Sequence, residues 1–182
     1  MNIAQHLGMH LGKFDQSWSS SSLVGVDVCM FRDQPSVGLL TFATLGLSST
    51  ILQLGERRSV RQELLLVARA DEASDVFSKL LIHVAALMLH EQRALLRGDI
   101  VPLGESIIAE RQVDHLYASI PVVFCDELAV LNDSTPPTVL VWLIPLQKKE
   151  IDFVRTVGWS EFETRLESTD PDLYDLRRES VV

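Results

Sequence analysis

The chain has 182 residues, 47% hydrophobic and 23% charged, with 16 Lys and Arg against 25 Asp and Glu and a net charge of −9. These proportions are ordinary for one globular domain with a full core, and they exclude a disordered chain, a collagen and a coiled coil. The acidic field repels a phosphate backbone, which argues against general nucleic-acid binding and favours a basic partner. Two cysteines, Cys29 and Cys125, are too few for a disulfide scaffold or a four-thiolate metal site, and they fit a reducing cytoplasm. Residues 1–22 lack a basic start followed by an apolar run, so no signal peptide is expected. The longest apolar run, 139–145, is far below the roughly 18 residues of a membrane span.

In chain order, Ile3, Leu7 and Leu11 stand four apart and predict a short amphipathic helix ended by Gly12. Residues 17–22 read as a polar loop broken by Trp18. Residues 23–31 (LVGVDVCMF) read as a strand, with Val24, Val26, Val28 and Met30 on one face. After a turn at Asp33-Gln34-Pro35-Ser36, residues 39–45 form the return strand of a hairpin. Gly46 frees the backbone for a bend, and residues 50–54 add a short strand. Residues 62–68 (QELLLVA) are continuously apolar after Glu63, which predicts a strand buried on both faces.

Asp71 reads as an N-cap for a long helix over residues 72–97, about 39 Å in length, with Gly98 as its C-cap. Residues 99–104 read as a turn. Strand character returns within 116–131, notably at 121–125, and 132–137 (NDSTPP) is a loop. The strongest strand signal is 138–146 (TVLVWLIPL). A short helix over 147–157 ends at Gly158, and Ser160 with Glu163 forms a capping-box pattern for the next helix. Leu173, Tyr174 and Leu176 predict that the tail packs. Strands come in groups without regular alternation with helices. This indicates an α+β fold with a mixed, mainly antiparallel sheet and flanking helices, in one domain over 1–182.

Chemistry-bearing motifs are sparse. His6 and His10 share a helix face at i, i+4, but a metal site needs a third ligand, and no metal or cofactor is expected. His83 and His90 read as ordinary helix-surface residues. Each cysteine lies in an apolar, strand-like segment and reads as a small hydrophobe rather than a nucleophile. There is no Gly-x-Ser-x-Gly elbow and no phosphate-binding loop, so no catalytic residue is assigned. Gly98-Asp99-x-Val101 stands out, and Asp99 there forms an Asx-turn or serves as a contact.

The ordered motifs resemble the suppressor-of-fused domain family, bacterial branch, across nearly the whole chain. They are His10-Leu11-Gly12, the Val-Asp-Val strand at 26–28, residues 41–48 (TFATLGLS), Glu63-Leu64-Leu65 and Gly98-Asp99-x-Val101. The most specific are residues 143–146 (LIPL) with Glu150 and Phe153, and the ending 175–182 (DLRRESVV). The resemblance implies protein binding. Animal members are adaptors that sequester a transcription factor, holding a short peptide between two lobes by strand addition. Bacterial members are thought to be immunity proteins that neutralise toxin domains, and an acidic surface suits a basic toxin. The Gly-Asp step matches a binding aspartate of the animal proteins, so the resemblance makes Asp99 a contact residue. The accompanying aromatic has no match, because Leu87-Met88-Leu89 stands in its place, and the chain is too short for the second lobe.

The sequence therefore leads to a non-enzymatic, cytoplasmic protein-binding module. The foremost reading is an immunity or inhibitor protein that occludes a toxin or other protein partner. An adaptor that binds a peptide by strand addition and a small metal-dependent hydrolase built on the histidines are the alternatives. The candidate contacts are Asp99, Asp114 and Ser119. The last two flank 115–118 and either share its surface or are turn residues. An unpaired sheet edge is also compatible with a homodimer.

Overall fold

The computed structural model of the chain describes residues 1–20, 23–71, 74–103, 113 and 115–182. Helix α1 (Ile3–Leu11) starts with a reciprocal cap between Asn2 and Gln5 and stops at Gly12, as its spacing predicts. The expected loop after it instead contains strand β1 (Gln16–Ser19), which pairs antiparallel with β2 (Asp27–Arg32). Its exposed polar side chains carry no alternation, so pairing with β2, and not pattern, makes it a strand. The strand predicted from residue 23 begins only at Asp27, because Gly25 takes φ 88 and turns the chain, leaving Val24 exposed.

Strand β3 (Leu39–Leu45) returns as the hairpin partner of β2. Gly46 follows at φ 112, and a Cβ there would stand 2.1 Å from the Gly25 carbonyl oxygen, so two backbone segments meet at that bend. Strands β4 (Leu52–Gln53) and β5 (Ser59–Arg69) then pair antiparallel. Helix α2 (Ser74–Glu91) starts three residues after Asp71, which lies in a turn and not at the cap position.

The helix also stops earlier than periodicity implies, at about 27 Å. Gln92 enters the left-handed region at φ 52, and Gln53 takes over the departing backbone through Gln53 N–H to Gln92 O (3.0 Å) and Ala94 N–H to Gln53 O (2.9 Å). Residues 93–98 are therefore a pinned loop, and Gly98 is not a helix C-cap. The turn expected over 99–104 contains strand β6 (Ile100–Pro102), paired with β7 (His115–Ser119). The strand expected at 121–125 is a tight turn, closed by Phe124 N–H to Pro121 O and followed by a 3₁₀ turn at Asp126–Leu128.

Strands β8 (Val130–Leu131) and β9 (Thr138–Leu146) complete the sheet, whose order is β1-β2-β3-β5-β9-β7-β6 with β4 on β5 and β8 on β9. Only the β5–β9 pairing is parallel among these described strands, so the α+β reading with a mixed, mainly antiparallel sheet stands. Helices α3 (Lys148–Val157) and α4 (Trp159–Thr169) follow.

The continuous apolar strands are explained by two cores. Leu64, Leu66, Val141 and Leu143 face α2 through Phe77, Leu81 and Val84. Leu65, Val67, Trp142 and Ile144 face α1, α3 and α4 through Leu7, Ile151 and Phe162. A period of two along β5 and β9 thus feeds a layer on each side. The tail packs as expected: Leu176 is buried, and Arg178 reaches Glu150 in the interior.

Candidate functional site

The loop from Gln92 to Asp99 joins α2 to the sheet edge and is fixed along its length. Gln62, buried on β5, clamps Leu95 by donating to its carbonyl (2.8 Å) and accepting from its amide (2.9 Å). Gly98 N–H donates to Ala118 O, and Ala118 N–H donates to Asp99 O, both at 2.9 Å, which ties the loop to β7. Gly98 itself has φ 95, and a Cβ there would lie 2.6 Å from Cγ of Trp159. It is glycine for conformation and for the approach of that ring.

Asp99 Oδ2 accepts from Leu96 N–H (2.9 Å) and from the Arg93 guanidinium (2.8 Å). The bond runs back three residues, so this is not the Asx-turn that the sequence suggests, although the side chain does close the loop. Oδ1 takes no bond from the described residues, and Asp99 lines a hollow of about 220 Å³ beside α2. The local turn and an available acceptor are thus combined in one carboxylate.

Beyond Asp99 lies a cluster that sequence reading missed. Arg97 makes a forked contact with Glu163 on α4, with Nε to Oε1 at 3.0 Å and Nη2 to Oε2, and its guanidinium lies 5.0 Å over the Trp159 ring. Glu163 also accepts from the buried Tyr117 hydroxyl at 2.8 Å and from Ser119 Oγ at 3.4 Å. Burial, then the bond to Glu163, raises the Tyr117 phenol, while the bond to Glu163 raises Arg97, so both keep their protons. The Ser160–Glu163 pair is therefore not a capping box. The cap of α4 is Gly158, with no side-chain bond, and Glu163 points into this network. The spacing signalled a cap because sequence cannot show Arg97 arriving from 66 residues away.

Arg97 and Ser119 form a crest between two further hollows. One, of about 180 Å³, is lined by Leu54, Leu96, Ile120 and Val139. The other, of about 210 Å³, has Val122, Trp142, Ile144 and Leu166 as its apolar lining. Leu96 (45%), Ile120 (44%), Val122 (64%) and Trp159 (41%) are exposed around this crest. Scattered apolar side chains are normal on a surface, but Leu96, Ile120 and Val122 grouped about an Arg–Trp pair are not scattered. Of the candidate contacts, Ser119 is buried but lines both of these hollows, Asp99 lines the separate hollow beside α2, and Asp114 lies outside the described residues.

The other chemistry-bearing residues lie elsewhere. His6 and His10 meet edge to face at 4.7 Å, His6 Nε2 lies 3.0 Å from the Leu128 carbonyl, and His10 Nδ1 lies 3.3 Å from Cys125 Sγ. Among the described residues no group of three His, Cys, Asp or Glu side chains is arranged to hold a metal ion. Both cysteines are free, and burial pushes the Cys29 thiol up to about 11, away from nucleophilic use. His83 and His90 are exposed on α2. No helix among the described residues is long and apolar enough to cross a membrane.

Known proteins share the fold that carries this geometry. An immunity protein, YqcF of Bacillus subtilis (strain 168), is 25% identical over 171 residues, spanning 93% of this chain and 88% of its own length. The crystal structure of a putative SUFU (suppressor of fused protein) homolog from Neisseria gonorrhoeae FA 1090 superposes with a TM-score of 0.80 at 19% identity, covering 99% of this chain and 94% of that one. The corresponding values for a Sufu–Fu complex structure are 0.70, 13%, 98% and 90%. Drosophila Suppressor of Fused matches at a TM-score of 0.60 and 15% identity over 85% of this chain and 42% of its own length. These structures establish the shared fold, and residues 22–179 match the family described as Suppressor of fused protein (SUFU), so the chain belongs to that family.

Proposed function

We propose that this protein is a non-enzymatic, cytoplasmic immunity protein that binds a protein toxin and occludes it through the face centred on Arg97 and Trp159. The observation that carries the reading is the rigid loop, which presents Leu96 and Arg97 beside Trp159, Ile120 and Val122 without further ordering. Interfaces draw most of their energy from such aromatic and arginine anchors on preorganised supports. Asp99, through Oδ1, is a contact residue in this reading, and Ser119, which is buried, is a contact reached through the hollows that it lines. The relation to the Bacillus subtilis immunity protein supports the toxin as partner, and the net charge of −9 favours a basic one.

A second reading, strand addition of a peptide, draws on β6. It ends the strand order, and among the described strands it pairs only with β7. Salt separates the two readings. Charge-led binding weakens steeply between about 0.05 and 0.5 M salt, whereas backbone pairing changes little.

The test is cross-linked capture of tagged protein in the source cells, using wild type, Leu96→Lys, Val122→Glu and the distant surface control Val37→Glu. We expect one partner, toxic when expressed alone and neutralised by co-expression. Its yield should fall at least about tenfold with Leu96→Lys and Val122→Glu and be unchanged with Val37→Glu. A partner captured equally by all four, or one that is not toxic, would overturn the reading.

A further inference from the structure

The hollow of about 210 Å³ beside the crest has Trp142, Ile144, Leu166 and Leu173 in its apolar lining, with the buried Glu163 and the exposed Glu167 and Asp170 as its carboxylates. Glu163 is already neutralised by Arg97 and bonded by Tyr117 and Ser119. Glu167 and Asp170 receive no hydrogen bond or ion pair from the described residues. Arg97 is the one cation in the lining against three carboxylates, which leaves these groups a formal charge of −2.

Their position on the helix sharpens the imbalance. Glu167 and Asp170 lie in the last turn and at the C-cap of α4, where the helix carries its partial negative charge. A cation belongs there, yet α4 has no basic residue in its last turn. Arg97 already attracts Glu167 across the hollow, and a further positive group would relieve both acids. A long apolar stem ending in a cation matches both halves of the hollow.

We infer that this hollow receives one arginine or lysine side chain of the protein partner, with its methylenes against Trp142 and Leu166 and its charged head between Glu167 and Asp170. This deepens the proposed binding face and rests on that reading.

The experiment uses the whole chain and two probes, the methylamides of N-acetyl-arginine and N-acetyl-citrulline, which are similar in shape but differ in charge. Binding is read from the NMR shifts of the Trp142 indole N–H and the Ser119 and Val123 amides. Arginine is expected to give saturable shifts at those groups. Citrulline, and arginine with Glu167→Gln/Asp170→Asn, should bind at least fivefold more weakly. The double variant should melt no lower than wild type, because it removes acids from a helix C-terminus. Equal binding of both probes, shifts located elsewhere, or no saturable shift would overturn the inference. If the captured partner is retained by Glu167→Gln/Asp170→Asn but lost with Leu96→Lys, the hollow fails and the face stands. Loss with neither set removes the face itself.

Discussion

Replacing Glu63 with leucine is expected to cost about 3–5 kcal/mol of stability, which corresponds to a fall of about 10 °C in Tm. Glu63 is fully buried on β5 and collects four donors: Thr44 Oγ1 at 2.6 Å, Gly46 N–H at 3.0 Å, and Ser48 N–H and Oγ at 3.0 and 2.7 Å. The two hydroxyls can turn away, but the two amides belong to a backbone fixed by the Gly46 bend. Leucine strands them without water. Glu63→Gln keeps the oxygen that receives three of the four bonds and turns its amide toward Thr44, so its cost should be about 1 kcal/mol.

Burial raises the Glu63 carboxyl above its usual range, although its four donors pull it down. The folded state therefore binds more protons than the unfolded chain between the ordinary glutamate value and the raised one. The Glu63 contribution is complete below the ordinary value and falls as pH rises through the raised one. Urea unfolding of wild type and Glu63→Gln over a pH series checks both points. The stability of wild type relative to Glu63→Gln should decrease with rising pH. A Glu63→Leu protein that loses less than about 1 kcal/mol, with its urea slope unchanged, contradicts this role.

The second large effect concerns the tail. Arg178 forks onto Glu150 at 2.6 and 2.7 Å with side-chain exposures of 5% and 0%, so the pair is desolvated. Glu150 also caps α3 through Gln147 N–H and holds Val181 N–H, and Arg178 donates to the Pro145 carbonyl. Arg178→Ala leaves a buried carboxylate without its cation and should cost about 3–5 kcal/mol. The loss should appear first as protease cutting within 170–182, because that irregular tail loses its packing when the pair is broken. Lysine cannot reproduce the fork, so Arg178→Lys should recover less than half of the loss. Glu150→Leu/Arg178→Met should cost less than the two single changes summed, by about 2 kcal/mol or more. Additive losses would show that the two side chains act separately.

Much of this framework was legible in the sequence, and what was not has physical causes. The strand at 138–146 matches its predicted bounds because both of its faces are buried and every position must be apolar. The first helix was legible from its leucine spacing and from Gly12. The long helix was overextended because Leu95 continues the heptad-like spacing, while the Gln53 backbone, distant in sequence, actually ends it. Strand β6, and β1 with its polar side chains, exist through pairing and leave no periodic trace, whereas the short strand expected at 50–54 is present as β4.

At the candidate site, the loop-closing role of Asp99 was legible because Gly98 marks a backbone exception. Arg97, Tyr117, Trp159 and Glu163 were not, since four segments bring them together and each has an ordinary local explanation. A capping-box spacing with no serine bond to the helix is the kind of local pattern that a long-range ion pair overrides. The family resemblance pointed to Asp99, and the proposed face is centred two residues earlier, on the Arg97–Trp159 contact.

The most direct measurement of the central claim is amide hydrogen exchange of the protein alone and in complex with its captured partner. Exchange should slow at 95–99, at 119–124 and along 159–167, which together form the Arg97–Trp159 face. The groove of about 530 Å³ between β1 and α2, with Trp18, Lys79 and His83 in its walls, should exchange alike in both states. Slowing confined to that groove, with the Arg97 face unchanged, would contradict the account.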